Sequence, residues 1–188
     1  MPRLPCEQSN GHPGLATDNS SVSVYLVGPM GSGKSAVGRR LARDLGRQFA
    51  DSDDEIEART GVDVPYIFEK EGEDGFRRRE QEVIAELTAI PALILATGGG
   101  SILARQNRRA LAAGGQVVYL HTSVDQQLKR TRRGRERPLL KKGDPRATLE
   151  ALMAEREPLY REIADLVVDT NGRRVASVAR EIRDKLNL

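Results

Sequence analysis

One segment of eight residues carries the clearest chemical signal in this sequence of 188 residues. Residues 28–35 read Gly-Pro-Met-Gly-Ser-Gly-Lys-Ser and match the pattern G-x-x-x-x-G-K-[ST]. Glycines let the backbone curl so that successive N–H groups face one phosphate, and a helix that starts at this loop adds its positive end. Lys34 then supplies charge to the β and γ phosphates, and the Ser35 hydroxyl ligates Mg²⁺. The pattern predicts a nucleotide site but names neither the nucleotide nor the group that receives phosphate.

Two carboxylates follow the second short apolar run of the chain. Asp51 and Asp53 come directly after residues 48–50, which predict a strand, so they lie at the end of the strand where parallel sheets bind ligands. One carboxylate could lie near a metal ion, and the other could orient an acceptor hydroxyl or take its proton. Asp54 and Glu55 are interpreted instead as charges in the first turn of a helix.

Arginines and glycines further along the chain predict a second anion site. The segment Phe76-Arg-Arg-Arg-Glu80 opens a helix, and one arginine facing a cleft could bind a carboxylate with two hydrogen bonds. Arg77 is spaced to pair with Glu80 on that helix. The triplet 98–100 is Gly-Gly-Gly after a buried run, which indicates close approach of the backbone to another group.

Strands and helices must alternate to hold these residues at one edge of a sheet. Strands are predicted at 22–27, 48–50, 92–96, 116–120 and 166–168. Helices are predicted at 36–45, 53–60, 65–70, 76–89, 105–113, 123–133, 146–163 and 175–186, with breaks at Gly72 and Gly75 and an interruption or bend near Pro158. This alternation predicts a parallel sheet covered by helices on both faces, with ligands at the carboxyl ends of its strands.

Two segments lack this regular pattern. Residues 1–20 are rich in Pro, Gly and Ser without an apolar run, so we expect a disordered tail rather than a secretory signal. Residues 132–144 have no apolar periodicity, and 129–142 hold eight Lys or Arg against one Glu. We expect a mobile lid over about 132–144 that closes on transferring phosphate and excludes water. One domain then spans residues 21–188.

Composition narrows the classes of protein to consider. Lys plus Arg is 30 and Asp plus Glu is 27, and a net charge of +3 is too small for a dedicated nucleic-acid arm. Aromatic residues make up 4% of the chain, so stacking platforms for single-stranded nucleic acid are poorly supplied. A single cysteine fits a cytoplasmic protein, and no apolar run is long enough to span a membrane. We expect no nucleic-acid partner and no membrane partner.

From Val22 to the C-terminus the chain resembles the shikimate kinases, which are P-loop kinases of the nucleoside-monophosphate-kinase type. The resemblance rests on residues 28–35, Asp51-Ser-Asp53, Phe76-Arg77 with Glu80, Gly98-Gly-Gly100, Arg137-Pro-Leu-Leu140 and Arg156-Glu-Pro-Leu-Tyr160. It implies a three-layer α/β/α fold with five parallel strands and a mobile lid. It also implies transfer of the γ-phosphoryl group of ATP to the 3-hydroxyl of shikimate, with Mg²⁺, in aromatic amino acid biosynthesis. The family is commonly monomeric.

The same resemblance implies roles on the acceptor side of the site. Asp53 would hold the shikimate hydroxyls and act as, or stand in for, the base. Arg77 and Arg156 would bind the shikimate carboxylate. The backbone of Gly99 would contact the substrate, and its neighbours Gly98 and Gly100 are included in the predicted binding turn.

On the nucleotide side the resemblance implies a longer set of contacts. Asp51 would lie near Mg²⁺ through water, beside Ser35. Arg137 would reach the phosphates from the lid, and it joins Lys34 and Asp53 as a predicted catalytic residue. Arg130 and Arg173 would border the adenine. The predicted loop contacts are Gly31, Ser32, Gly33, Lys34, Ser35 and Ala36.

Three other classes of protein share parts of this pattern. Gluconate kinases and nucleoside monophosphate kinases have the same phosphate loop, but the glycine triplet and the pair Asp51 and Asp53 favour the shikimate type. A guanine-nucleotide switch is disfavoured because no Asn-Lys-x-Asp element occurs after a late strand. A nucleic-acid binder would have to use the basic segment 129–142, and its binding would collapse with modest salt.

Overall fold

A five-stranded sheet lies at the centre of the computed structural model, which describes residues 21–131, 140 and 143–188. The strands are β1 Ser23–Val27, β2 Phe49–Asp51, β3 Ile94–Ala96, β4 Gly115–His121 and β5 Leu166–Asp169. Every pairing is parallel, in the order β2-β3-β1-β4-β5. Because β1 lies between β3 and β4, the turn after β1 emerges at the middle of the sheet's carboxyl edge.

Helices cover both faces of this sheet. They are α1 Lys34–Leu45, α2 Ser52–Thr60, α3 Val64–Thr88, α4 Arg105–Gly114, α5 Val124–Thr131, α6 Pro145–Ile163 and α7 Val175–Leu186, with a short 3-10 turn at Ser101–Leu103. Within the described ranges, no helix combines the length and apolar character needed to cross a bilayer.

Alternating side chains of the central strand divide the core into two layers. Tyr25 and Val27 of β1 face a cluster that includes residues of α2, α3, α4 and α6. Val24 and Leu26 face the opposite cluster, which is formed with α1 and α7. All four side chains are fully buried, as expected for a strand covered on both faces. The predicted three-layer α/β/α fold of five parallel strands is confirmed.

Gly72 breaks the regular helix as predicted, whereas the predicted break at Gly75 and the predicted interruption at Pro158 are wrong. α3 runs from Val64 to Thr88 with a kink at Gly72, whose φ of 71° and ψ of −176° are not helical. Gly75 does not break the chain but lies buried within α3, where a Cβ would come within 2.4 Å of the Cβ of Glu71. Its small size therefore serves close packing at the kink. α6 continues through Pro158 without interruption, anchored on both sides by buried Arg156 and Tyr160.

Candidate active site

The phosphate loop is shaped by glycines that no other residue could replace without strain. Gly28, Gly31 and Gly33 have φ values of 142°, 76° and 95°. A Cβ on Gly28 would also lie 2.6 Å from the carbonyl oxygen of Leu120. α1 begins at Lys34, directly after Gly33, and no side chain caps its first turn. The positive end of α1 therefore opens onto the loop, as phosphate binding requires.

Lys34 is held across this loop by backbone oxygens. Its Nζ donates to the carbonyl oxygens of Gly28 at 2.8 Å and Pro29 at 2.9 Å, and lies 3.4 Å from Ser32 Oγ. The ammonium group thus lies over the loop's concave backbone, where it can meet the terminal phosphates of a nucleotide.

Ser35, in the first turn of α1, is hydrogen-bonded to Asp51, the last residue of β2. Ser35 Oγ donates to Asp51 Oδ2 at 2.6 Å, and Asp51 Oδ1 accepts from the backbone N–H of Asp53 at 3.1 Å to cap α2. A hydroxyl and a carboxylate are oxygen ligands of the kind that Mg²⁺ prefers, with phosphates and water completing its shell. The described residues contain no cluster of three metal-ligating side chains. The pair fits a Mg²⁺ ion carried in by a nucleotide.

A small cavity of about 80 Å³ adjoins the larger cleft of about 830 Å³ at the phosphate loop. Both spaces are bordered by the same five residues, Met30, Asp53, Val64, Gly98 and Gly99. The small cavity is completed by Phe68, Phe76, Arg77, Glu80, Gly100 and Arg156. It therefore combines apolar walls with two arginines and two carboxylates.

Gly98 lies beneath the two carboxylates of this cavity. A Cβ at this position would lie 2.6 Å from Glu80 Oε1 and 2.8 Å from Asp53 Oδ1. The next glycine, Gly99, faces the phosphate loop, since its Cβ would lie 3.3 Å from the backbone nitrogen of Met30. The glycine turn thus separates the small cavity from the phosphate loop by one layer of backbone.

The two arginines of the cavity are positioned by different elements. On α3, Arg77 donates to Glu80 Oε2 at 2.6 Å and to Glu73 Oε1 at 2.9 Å, and its guanidinium occupies the space where Gly100 lacks a side chain. On α6, Arg156 is 6% exposed, and its Nε has no hydrogen-bond partner among the described residues. Arg156 therefore offers donors to an anion in the cavity.

Glu80 also lines the small cavity, where the sequence predicts it only as a partner of Arg77. It is fully buried, and burial raises the pKa of its carboxyl from 4.5 to about 7. The charge of Asp53 raises this pKa further, whereas Arg77 and Arg156 lower it. The sequence does indicate the pairing, because Glu80 lies three residues after Arg77 on the same helix.

Of the two arginines predicted to border the adenine, only Arg130 lines the cleft. Arg130 lines the cleft and donates to the carbonyl oxygens of Gly31 at 2.9 Å and Thr170 at 2.8 Å, which ties the phosphate loop to the turn after β5. Arg173 is not among the residues bordering the cleft; its guanidinium pairs with Glu181 at 2.5 Å. Arg137 and most of the predicted lid lie outside the described residues, as does the tail 1–20.

Together these features define a class of protein. A phosphate loop follows the central strand, a hydroxyl–carboxylate pair lies beside it, and a small cavity lined by two arginines adjoins the cleft. This is the arrangement of a P-loop kinase that phosphorylates a small molecule.

Sequence comparison identifies the family. A family model described as shikimate kinase matches residues 30–187. A shikimate kinase of Pseudomonas entomophila is 58% identical over 164 residues, which cover 87% of this chain and 95% of the relative. One from Halorhodospira halophila is 58% identical over 163 residues, covering 87% and 92%. The chain belongs to the shikimate kinase family, which consists of ATP-dependent phosphotransferases.

Structural comparison agrees with this assignment. The shikimate kinase of Acinetobacter baumannii, solved in complex with shikimate, matches with a TM-score of 0.86 at 51% identity, covering 89% of this chain and 94% of that chain. A gluconokinase from Sinorhizobium meliloti matches with a TM-score of 0.58 at 24% identity, covering 89% and 92%. The gluconokinase therefore shares the fold alone.

Proposed function

We propose that this chain transfers the γ-phosphoryl group of ATP to the 3-hydroxyl of shikimate, giving shikimate 3-phosphate and ADP in aromatic amino acid biosynthesis. One observation carries the proposal: the small cavity lined by Arg77, Arg156 and Asp53 adjoins the phosphate loop through the glycine turn 98–100. An acceptor bound there lies next to the phosphates, as direct transfer requires.

The acceptor's chemistry matches the lining of the cavity. Arg77 and Arg156 bind the shikimate carboxylate, because guanidinium groups match carboxylates with paired hydrogen bonds. Asp53 binds the hydroxyl groups and orients the one that attacks. The backbone of the turn 98–100 meets the ring, where a side chain would fill the space.

The nucleotide is bound by the backbone of residues 31–36 and by Lys34. Ser35 and Asp51 would hold Mg²⁺, which would supply positive charge to neutralise the phosphates. Lys34 adds positive charge as the phosphoryl group moves. Arg130 contributes on the nucleotide side by fixing the loop's backbone.

Asp53 is the group best placed to receive the hydroxyl proton. Its carboxylate lies between the acceptor cavity and the phosphate cleft, and it borders both. Because phosphoryl transfer passes through a loose transition state that needs little help from a base, Asp53 also contributes by orienting the hydroxyl.

We also propose that residues 21–188 act as one kinase domain in a cytoplasmic monomer. Its partner is the small molecule shikimate, and neither nucleic acid nor membrane takes part. Gel filtration with light scattering tests the monomer directly, and a stable dimer would contradict it.

The reaction is tested by ADP release from MgATP, coupled to NADH oxidation. Shikimate, gluconate and a nucleoside monophosphate serve as parallel acceptors. Release that depends on shikimate and is absent with the other two supports the proposal. ATP binding without any response to shikimate contradicts the acceptor and leaves the fold assignment intact.

A further inference from the structure

A hydrogen bond between distant parts of the chain holds the glycine turn in place. The hydroxyl of Tyr160, on α6, donates to the carbonyl oxygen of Gly99 at 2.5 Å across 61 residues of sequence. Tyr160 is fully buried. Since a carbonyl group and the following N–H lie in one plane, fixing this oxygen also fixes the orientation of the peptide between Gly99 and Gly100.

The ring of Tyr160 is itself locked. It stacks on Tyr119 of β4 with centroids 5.0 Å apart and an interplanar angle of 21°. The hydroxyl of Tyr119 is buried too, but it has no hydrogen-bond partner among the described residues. The two stacked tyrosines therefore differ in their hydroxyl groups: that of Tyr160 bonds to the glycine turn, and that of Tyr119 does not.

The same helix carries the arginine of the acceptor cavity. Arg156 lies one turn before Tyr160 on α6, on the same face of the helix. Gly99 is bounded on its other side by the phosphate loop, where a Cβ would lie 3.3 Å from Met30 N and 3.5 Å from Gly28 O. The turn is therefore held between the phosphate loop and Tyr160, and α6 is tied to it beside Arg156.

We propose that Tyr160 is a positioning residue for acceptor binding, whose hydroxyl fixes the spacing between Arg156 and the turn 98–100. This inference rests on the function proposed above. The cavity can bind a carboxylate and a hydroxylated ring together only if the guanidinium and the turn keep one separation. A hydrogen bond to a buried carbonyl can set that separation because leaving the oxygen unpaired is costly.

The test compares Tyr160→Phe with Tyr119→Phe, a matched control that removes the unpaired hydroxyl of the stacked ring. For Tyr160→Phe we expect the KM for shikimate to rise about tenfold while the KM for ATP changes less than about twofold. Tyr119→Phe should leave both constants unchanged. An equal loss for both substrates, or unchanged shikimate KM in Tyr160→Phe, would overturn the proposal.

A double-mutant cycle separates positioning from general stability. In an Arg156→Ala background, Tyr160→Phe should have a much smaller effect on the shikimate KM, because the contact it positions is gone. Fully additive effects would contradict the inference.

Amide hydrogen exchange provides a readout that does not depend on the substrate. Peptides covering residues 97–104 should exchange faster in Tyr160→Phe and not in Tyr119→Phe. Unaltered exchange in Tyr160→Phe would contradict the positioning role. Failure of the proposed function is recognised separately, by a wild-type protein that releases no ADP with shikimate.

Discussion

Arg77 and Glu80 form an ion pair inside the acceptor cavity, with Nη1 and Oε2 2.6 Å apart and the carboxylate fully buried. The second oxygen of Glu80 has no hydrogen bond among the described residues. A buried carboxylate with one satisfied oxygen is costly to ionise, which is why burial outweighs Arg77 and raises the pKa of Glu80 to about 7.

This ion pair predicts a pH dependence of stability. Between 4.5, the ordinary pKa of the carboxyl, and about 7, the folded protein binds more protons than the unfolded chain. The contribution of Glu80 to stability is therefore largest below pH 4.5 and is lost as the pH rises through about 7. From about pH 5 to about pH 8, wild type should lose roughly 2 kcal/mol more free energy of unfolding than Glu80→Gln, measured by urea titration. Equal pH dependence in the two proteins would contradict the buried titration.

Gly98→Ala should disable the acceptor cavity without strain in the backbone. The added Cβ would lie within 3 Å of oxygens of both Glu80 and Asp53, so one or both carboxylates must move. We expect kcat/KM for shikimate to fall at least about a hundredfold, with ATP affinity changed less than about threefold. Calorimetry with ATP and steady-state kinetics measure the two effects. Retained acceptor kinetics would show that the carboxylates do not define the cavity.

Asp53→Asn should separate binding from transfer. The amide keeps the size of the side chain but cannot take a proton, so kcat should fall by about a hundredfold or more while ATP still binds. Asp74→Asn, an exposed change on α3, is the matched control and should keep kcat. Near-full activity in Asp53→Asn would contradict its role at the hydroxyl.

Arg156→Ala should weaken the acceptor and spare the nucleotide. Loss of a buried guanidinium from the cavity should raise the KM for shikimate about tenfold to a hundredfold. Arg180→Ala removes the same charge from an exposed position of α7, on the far side of the sheet, and should leave this KM unchanged. Similar effects from both variants would show that Arg156 acts only through net charge.

The phosphate loop could be predicted from sequence because its chemistry is local. Gly28, Lys34 and Ser35 fall within eight residues, and one strand and one helix are enough to orient them. The five strands could be predicted from the alternation of short apolar runs, of which β1 and β3 are buried along their whole length.

The acceptor cavity depends on contacts that no local pattern contains. The burial of Glu80 follows from the way α3 packs, and Tyr160 meets Gly99 across 61 residues. The predicted break at Gly75 is wrong because glycine is typical of both turns and close contacts, and only the packing against Glu71 distinguishes the two.

The central claim is tested most directly by identifying the product. Wild-type protein is incubated with MgATP and shikimate, and the products are analysed by phosphorus NMR and mass spectrometry. We predict one shikimate 3-phosphate for each ADP released. ADP accompanied by inorganic phosphate, with shikimate unchanged, would contradict the account.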